Sequence, residues 1–131
     1  MDRPVTQFMT KDVIALPANK TVKDAIELMR KYDISSVVIV DPEDHHKPIG
    51  LKTSYDLLEL FLSQSNGSAL DIPLKKYIKD LLSLNEEATM GDAAKMFLDY
   101  QIHHIVILSH EGELAGILST LDLAKAFKSK N

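Results

Sequence analysis

Gly50-Leu51-Lys52-Thr53-Ser54-Tyr55-Asp56-Leu57 and Gly116-Ile117-Leu118-Ser119-Thr120-Leu121-Asp122-Leu123 spell one pattern twice, 66 positions apart. Each reads glycine, two residues, a hydroxyl residue, two residues, aspartate, leucine. Toward the C-terminus Phe61 falls on Phe127. Toward the N-terminus the offset becomes 68, so that Lys11-Asp12-Val13-Ile14-Ala15-Leu16 lies over Lys79-Asp80-Leu81-Leu82-Ser83-Leu84. Thr21 then falls on Thr89, Asp24-Ala25 on Asp92-Ala93, Tyr32 on Tyr100, Ile34 on Ile102 and Val38 on Val106. Matches kept in one order through both halves, with a single two-residue change of loop length, are the mark of an internal duplication.

Each copy reads as β-α-β-β-α. Val13 to Leu16 and Leu81 to Leu84 are short apolar runs that suit a first strand. Val22, Ala25, Ile26 and Met29, like Met90, Ala93, Ala94 and Phe97, recur at the spacing of an amphipathic helix. Thr21 with Asp24, and Thr89 with Asp92, fit a capping box at the start of that helix. Val37 to Val40 and Ile105 to Leu108 are apolar at every position, as a strand covered on both faces requires. Loops Asp41 to Pro48 and Ser109 to Glu113 lead to a third strand ending near Thr53 or Ser119, and a second helix follows. A copy of this size buries only about 60% of its surface and is marginal alone. The expected architecture is therefore α/β, two repeats packed sheet to sheet about a pseudo-twofold axis: residues 1–63, a linker at 64–72 with the turn-rich Ser-Gln-Ser-Asn-Gly-Ser, and residues 73–131.

Composition narrows the function. The 131 residues are 45% hydrophobic and 26% charged, the balance of a globular chain rather than a disordered one. Fifteen Lys+Arg against 19 Asp+Glu give a net charge of -4, the wrong sign for holding a nucleic acid duplex by its phosphates. With no cysteine, thiolate nucleophiles and Cys-ligated zinc are excluded. Neither a signal peptide nor a membrane-length apolar run is legible, so a cytoplasmic protein without membrane association is expected.

Phe8-Met9-Thr10 before the first strand, the Thr-x-x-Asp-Ala helix starts, Ile34-Ser35-Ser36-Val37-Val38-Ile39-Val40 and above all Gly50-x-x-Thr53-x-x-Asp56-Leu57 resemble the CBS domain, the cystathionine-β-synthase-type repeat, over essentially the whole chain. The resemblance implies a tandem pair that senses adenine nucleotides or adenosyl compounds without transforming them. The ligands implied are AMP, ADP or ATP, with S-adenosylmethionine or NAD as further candidates; no cofactor or metal is required. It further implies two clefts. Thr53 and Asp56 are completed by His103 and His104; Ser119 and Asp122 are completed by Ser35 and Ser36, with Thr10 beside them. Where kinase regulatory subunits of the family carry His-Arg, this chain carries His103-His104, so phosphate binding is expected to strengthen below neutral pH. The histidine cleft is expected to take the phosphorylated ligand and the serine cleft to bind weakly or stay empty.

The motif suits this role on chemical grounds as well. An aspartate repels phosphate but accepts two charge-assisted bonds from the vicinal hydroxyls of a ribose. The threonine hydroxyl can donate to a phosphate oxygen, and the helix start offers amides and a positive dipole end. The plainer reading is that Thr53–Asp56 and Ser119–Asp122 are capping boxes and nothing more; the preceding Gly50 and Gly116, the strand before each and the duplication together tilt the balance toward a ligand. Lys52 occupies a position that is usually apolar in the family, and either faces solvent or reaches a phosphate. His45 and His46, in an acidic loop, lack metal-site spacing. No nucleophile triad, phosphate loop or paired-carboxylate arrangement suggests an enzyme. The expected role is a regulatory module, self-associated as a homodimer, that reports to a separate protein; the alternative is a structural dimerisation module with empty clefts.

Overall fold

A computed structural model describes residues 1–63, 68–78 and 81–128. The elements run β1 (Ala15–Pro17), α1 (Val22–Tyr32), β2 (Ser36–Asp41), β3 (Asp44–Thr53), α2 (Ser54–Ser63), β4 (Ser83–Asn85), α3 (Met90–Tyr100), β5 (His104–Leu108), β6 (Leu114–Ser119) and α4 (Thr120–Lys128). The fold is mixed α/β, with each copy β-α-β-β-α as expected. Lys79, Asp80 and linker positions 64–67 lie outside the described residues.

The duplication is visible in the sheets. β1 runs parallel to β2, which is antiparallel to β3; β4, β5 and β6 repeat the order and directions. β1 and β4 begin about two residues later than the apolar runs suggest. Ile14 still accepts from Val38 N at 3.2 Å, and Leu82 from Val106 N at 3.3 Å, so these residues lead the chain into its pairing. Val37 to Val40 are buried throughout, as their apolar run predicts. Val37 and Ile39 join Leu16, Val22, Ala25, Met29, Leu57 and Leu74 in one core. Ile105 and Ile107 join Val5, Met90, Ala93, Phe97, Leu118 and Ala126 in the other. Each buried Val, Leu, Ile, Met or Phe side chain among them contributes about 1.5–3 kcal/mol by leaving water.

The first hairpin differs from expectation. Asp41 pairs with Asp44, so Pro42 and Glu43 are the whole turn, and His45 and His46 sit on exposed strand instead of in a loop. Asp41 Oδ1 accepts from Glu43 N at 2.9 Å and closes this turn locally, which the acidic composition hid. The two extra residues are absorbed by register shifts on either side of Val40.

The compact units are out of phase with the sequence copies. One is Ile14–Leu81; the other joins Met1–Val13 to Leu82–Asn131. Each contains a sheet, two helices and an arm that precedes the other copy's first strand. In the split unit Val5 N donates to Ala88 O at 2.9 Å, Met90 N to Arg3 O at 2.8 Å, and Thr10 and Ile117 exchange two backbone bonds at 2.9 and 3.0 Å. In the Ile14–Leu81 unit Leu74 N donates to Lys20 O at 2.8 Å and Val22 N to Ile72 O at 3.1 Å. Pro4-Val5 and Pro73-Leu74 therefore correspond at an offset of 69, one residue out of step with the rest of the copy. The arms also give Gly50 and Gly116 their reason. A Cβ on Gly116 would stand 2.6 Å from Met9 Sδ and 2.8 Å from Thr10 O, and one on Gly50 would stand 3.2 Å from Ile78 Cγ2. The glycines admit an arm, so the support they lent to a ligand role on sequence grounds falls away.

Candidate ligand-binding site

All four helix starts close the same reciprocal box. At Thr21–Asp24 and Thr89–Asp92 the aspartate takes the cap N–H and the threonine takes the aspartate N–H. Thr53 N donates to Asp56 Oδ2 at 2.9 Å, and Asp56 N to Thr53 Oγ1 at 3.2 Å. Ser119 N donates to Asp122 Oδ2 at 2.8 Å, and Asp122 N to Ser119 Oγ at 3.3 Å. Capping is thus real at both motifs, and only the groups left over can serve a ligand.

Those remainders differ between the copies. Ser119 Oγ also donates to Asp122 Oδ2 at 3.1 Å, and Lys125 Nζ stands 3.7 Å from Asp122 Oδ1, so both carboxylate oxygens already have partners. Asp122 is 7% exposed. At the position of Lys125 the first copy has Glu59. Among the described residues, Asp56 Oδ1 has no partner and the Thr53 hydroxyl proton is not directed at Asp56. The amide donors are less available than the motif suggests: Ser54 N bonds Ser35 O at 2.8 Å, and Thr120 N bonds His103 O at 3.1 Å.

Beside Asp56, within the Ile14–Leu81 unit, lies a cavity of about 410 Å3. That is within the ~300–1,000 Å3 of small-molecule sites. β3 contributes Lys52, α2 contributes Asp56, Glu59 and Leu60, and the arm contributes Lys76, Tyr77 and Ile78. Lys52 is 9% exposed, so it does not face solvent.

A family model for the CBS domain matches residues 5–63 and again 71–129. The chain belongs to the CBS-domain family. It is 28% identical over 127 residues to an uncharacterised 17.7 kDa protein of Acidianus ambivalens, covering 96% of this chain and 74% of that protein. It is 30% identical over 120 residues to inosine-5'-monophosphate dehydrogenase of Aquifex aeolicus, covering 90% of this chain but only 23% of the enzyme. Among solved structures, an uncharacterised conserved protein from Pyrococcus horikoshii superposes with a TM-score of 0.84 at 26% identity, covering 98% of this chain and 94% of that one. CBSX2 in complex with AMP gives 0.83 at 21%, covering 98% and 99%. A CBS domain pair with 5'-methylthioadenosine and S-adenosyl-L-methionine gives 0.84 at 20%, covering both chains completely. At such identities the last two show the fold of a CBS pair.

Within each unit of this CBS pair, the residues opening the middle strand lie beside the motif of their own copy. Ser36 pairs with Thr53 across β2 and β3, and His104 pairs with Ser119 across β5 and β6. Ser35 and His103 are exposed. Thr10, also exposed, lies against the strand that ends at Ser119. The crosswise sets implied by the family, Thr53 and Asp56 with His103 and His104, and Ser119 and Asp122 with Ser35 and Ser36, each draw on both units. Sequence reasoning missed Glu59, Lys76, Tyr77 and Ile78. The Pro4-Val5 and Pro73-Leu74 echo was the available signal, hidden by its one-residue slip.

No helix among the described residues is long and apolar enough to cross a membrane. Those residues also hold no cluster of three or more metal-ligating side chains.

Proposed function

We propose that this CBS pair is a cytoplasmic regulatory module that binds an adenine nucleotide or adenosyl compound beside Asp56 and signals its presence to a separate protein. The observation that carries this reading is that Asp56, whose Oδ1 has no partner among the described residues, lines a cavity of about 410 Å3. The ribose hydroxyls donate to that carboxylate, while the Thr53 hydroxyl donates to a phosphate oxygen. The AMP in one structural neighbour, and the methylthioadenosine and S-adenosylmethionine in another, support an adenosyl ligand. The Ser119–Asp122 motif, with its groups already partnered, is the weaker site. Ligand acts by preferring one of two conformations, shifting their populations by its difference in affinity.

Thermal unfolding with AMP, ATP and S-adenosylmethionine tests the reading. A ligand at a hundred times its Kd adds roughly 2.7 kcal/mol, a rise of several degrees in Tm. Asp56→Ala is expected to abolish the rise and Asp122→Ala to leave most of it. The family pattern assigns the phosphate to His103 and His104, so His103→Ala with His104→Ala should weaken AMP. A wild-type protein indifferent to every one of these ligands would leave the dimerisation module as the better reading.

A further inference from the structure

Two helix faces stand exposed at corresponding places of the duplication. On α2, Tyr55, Leu58, Glu59 and Leu62 recur at i, i+3, i+4 and i+7, and all four are exposed. On α4 the offset of 66 sets Leu121 on Tyr55, Ala124 on Leu58 and Lys125 on Glu59, again all exposed, with Phe127 one turn beyond Ala124. The two faces share an apolar stripe and differ in two respects. The α2 face is bulkier and carries a carboxylate; the α4 face is lowered at Ala124 and carries an ammonium. Lys125 Nζ stands 3.7 Å from Asp122 Oδ1 on its own helix, with the side chain 66% exposed. An ammonium has three donors, so this contact leaves others for a second carboxylate.

The apolar stripes supply affinity in any pairing of these faces, so charge and shape choose the pairing. About a twofold axis, α2 on the partner's α2 brings like carboxylates together, and α4 on α4 brings like ammoniums together with small Ala124 on both sides. Laying α2 on the partner's α4 replaces both of these with a glutamate meeting a lysine, and the twofold makes that contact twice. One exposed ion pair is worth little, but the choice turns on two attractions against two repulsions. The same arrangement sets the ridge formed by Leu58 and Leu62 against the face that Ala124 leaves lower.

We propose that the α2 face is covered by the α4 face of a second copy, so that the homodimer is built from two α2–α4 contacts rather than from α2–α2 and α4–α4. Glu59 and Lys125 select this arrangement. The proposal is independent of the ligand read beside Asp56.

Sedimentation equilibrium of the intact protein tests the pairing. Glu59→Lys puts lysine against lysine in both contacts and is expected to weaken the dimer by about tenfold or more. Adding Lys125→Glu to it reverses both charges and should bring the dimer back to within about threefold of the wild type. A pairing of like faces predicts otherwise, because Glu59→Lys merely exchanges one repulsion for another. An unchanged dimer in the single variant, or no recovery in the double one, therefore overturns the proposal, as does a wild-type protein that never dimerises. Unchanged helical content checks that the variants fold. Independently of these, the chain has no cysteine, so introduced thiols are unique. Leu58→Cys and Ala124→Cys proteins, treated with a short bis-maleimide, should cross-link when mixed and not when each is alone. Cross-linking of Leu58→Cys protein to itself but not to Ala124→Cys protein would assign α2 to α2.

Discussion

Thr53 and Ser119 hold the same place in the same box, yet the Ser119 hydroxyl turns back to Asp122 and Lys125 takes the second carboxylate oxygen. Lysine three residues after one aspartate and glutamate three residues after the other decide which motif keeps an open oxygen. That contrast is written in the sequence, but its meaning depends on distances of a few ångströms. The glycines were misread for a similar reason, since only the arm shows what approaches them. Gly116→Ala is expected to destabilise the protein by about 1–3 kcal/mol, the usual cost of overpacking. Its Cβ would meet the Thr10 carbonyl, which cannot swing aside as the end of a side chain can. Gly50→Ala should cost less, because Ile78 presents a movable methyl. Denaturant unfolding of the two variants measures the order, and equal losses would show that the arm contact at Gly116 relaxes freely.

At the scale of the element, the helix starts were the most legible feature, because a capping box is closed within four residues. The strands were less so. Their ends depend on pairing, and the first hairpin closed earlier than its acidic loop suggested. The boxes also make stability depend on pH. Asp24 is held below its ordinary value of 3.8 chiefly by the Thr21 backbone N–H, with smaller help from the Thr21 hydroxyl, Lys20 and Lys23 against the effect of burial. Asp92 is lowered likewise by the Thr89 N–H and hydroxyl, with Lys95 nearby. A carboxyl lowered in the folded state binds protons more readily when unfolded. Its contribution is complete well above 3.8 and is lost as the pH falls through the folded value. Urea unfolding between about pH 5 and pH 2 should therefore show stability falling, and Asp24→Asn with Asp92→Asn should flatten the fall. An unchanged slope would mean that these boxes are as well formed in the unfolded chain.

At the scale of the whole molecule, the α2 stripe Tyr55, Leu58 and Leu62 lies exposed, Leu62 at 82%, and α4 exposes Leu121 and Phe127. Apolar side chains grouped on one helix face mark an association surface. The homodimer expected from the family resemblance would use these helices. Light scattering should find a dimer that Leu58→Glu with Leu62→Glu converts to monomer without loss of helical content; a wild-type protein monomeric at every accessible concentration would refute the surface. Repeat number and element order were readable from one chain, because duplication doubles every signal. The exchange of arms was not, because it joins residues some 50 to 110 positions apart through a register slip of one.

That exchange has a consequence for how such a chain can be taken apart. Scissors placed between the sequence copies would leave Leu74, Tyr77 and Ile78 on one piece and the groove they fill on the other, with Val5 and Met9 parted from their own groove. Neither piece would be a smaller edition of the whole. The separable bodies begin at Ile14 and at Leu82, and the second is complete only if Met1–Val13 is grafted ahead of it. A duplication reads as two paragraphs, but this one folds as two sentences that each finish in the other's margin.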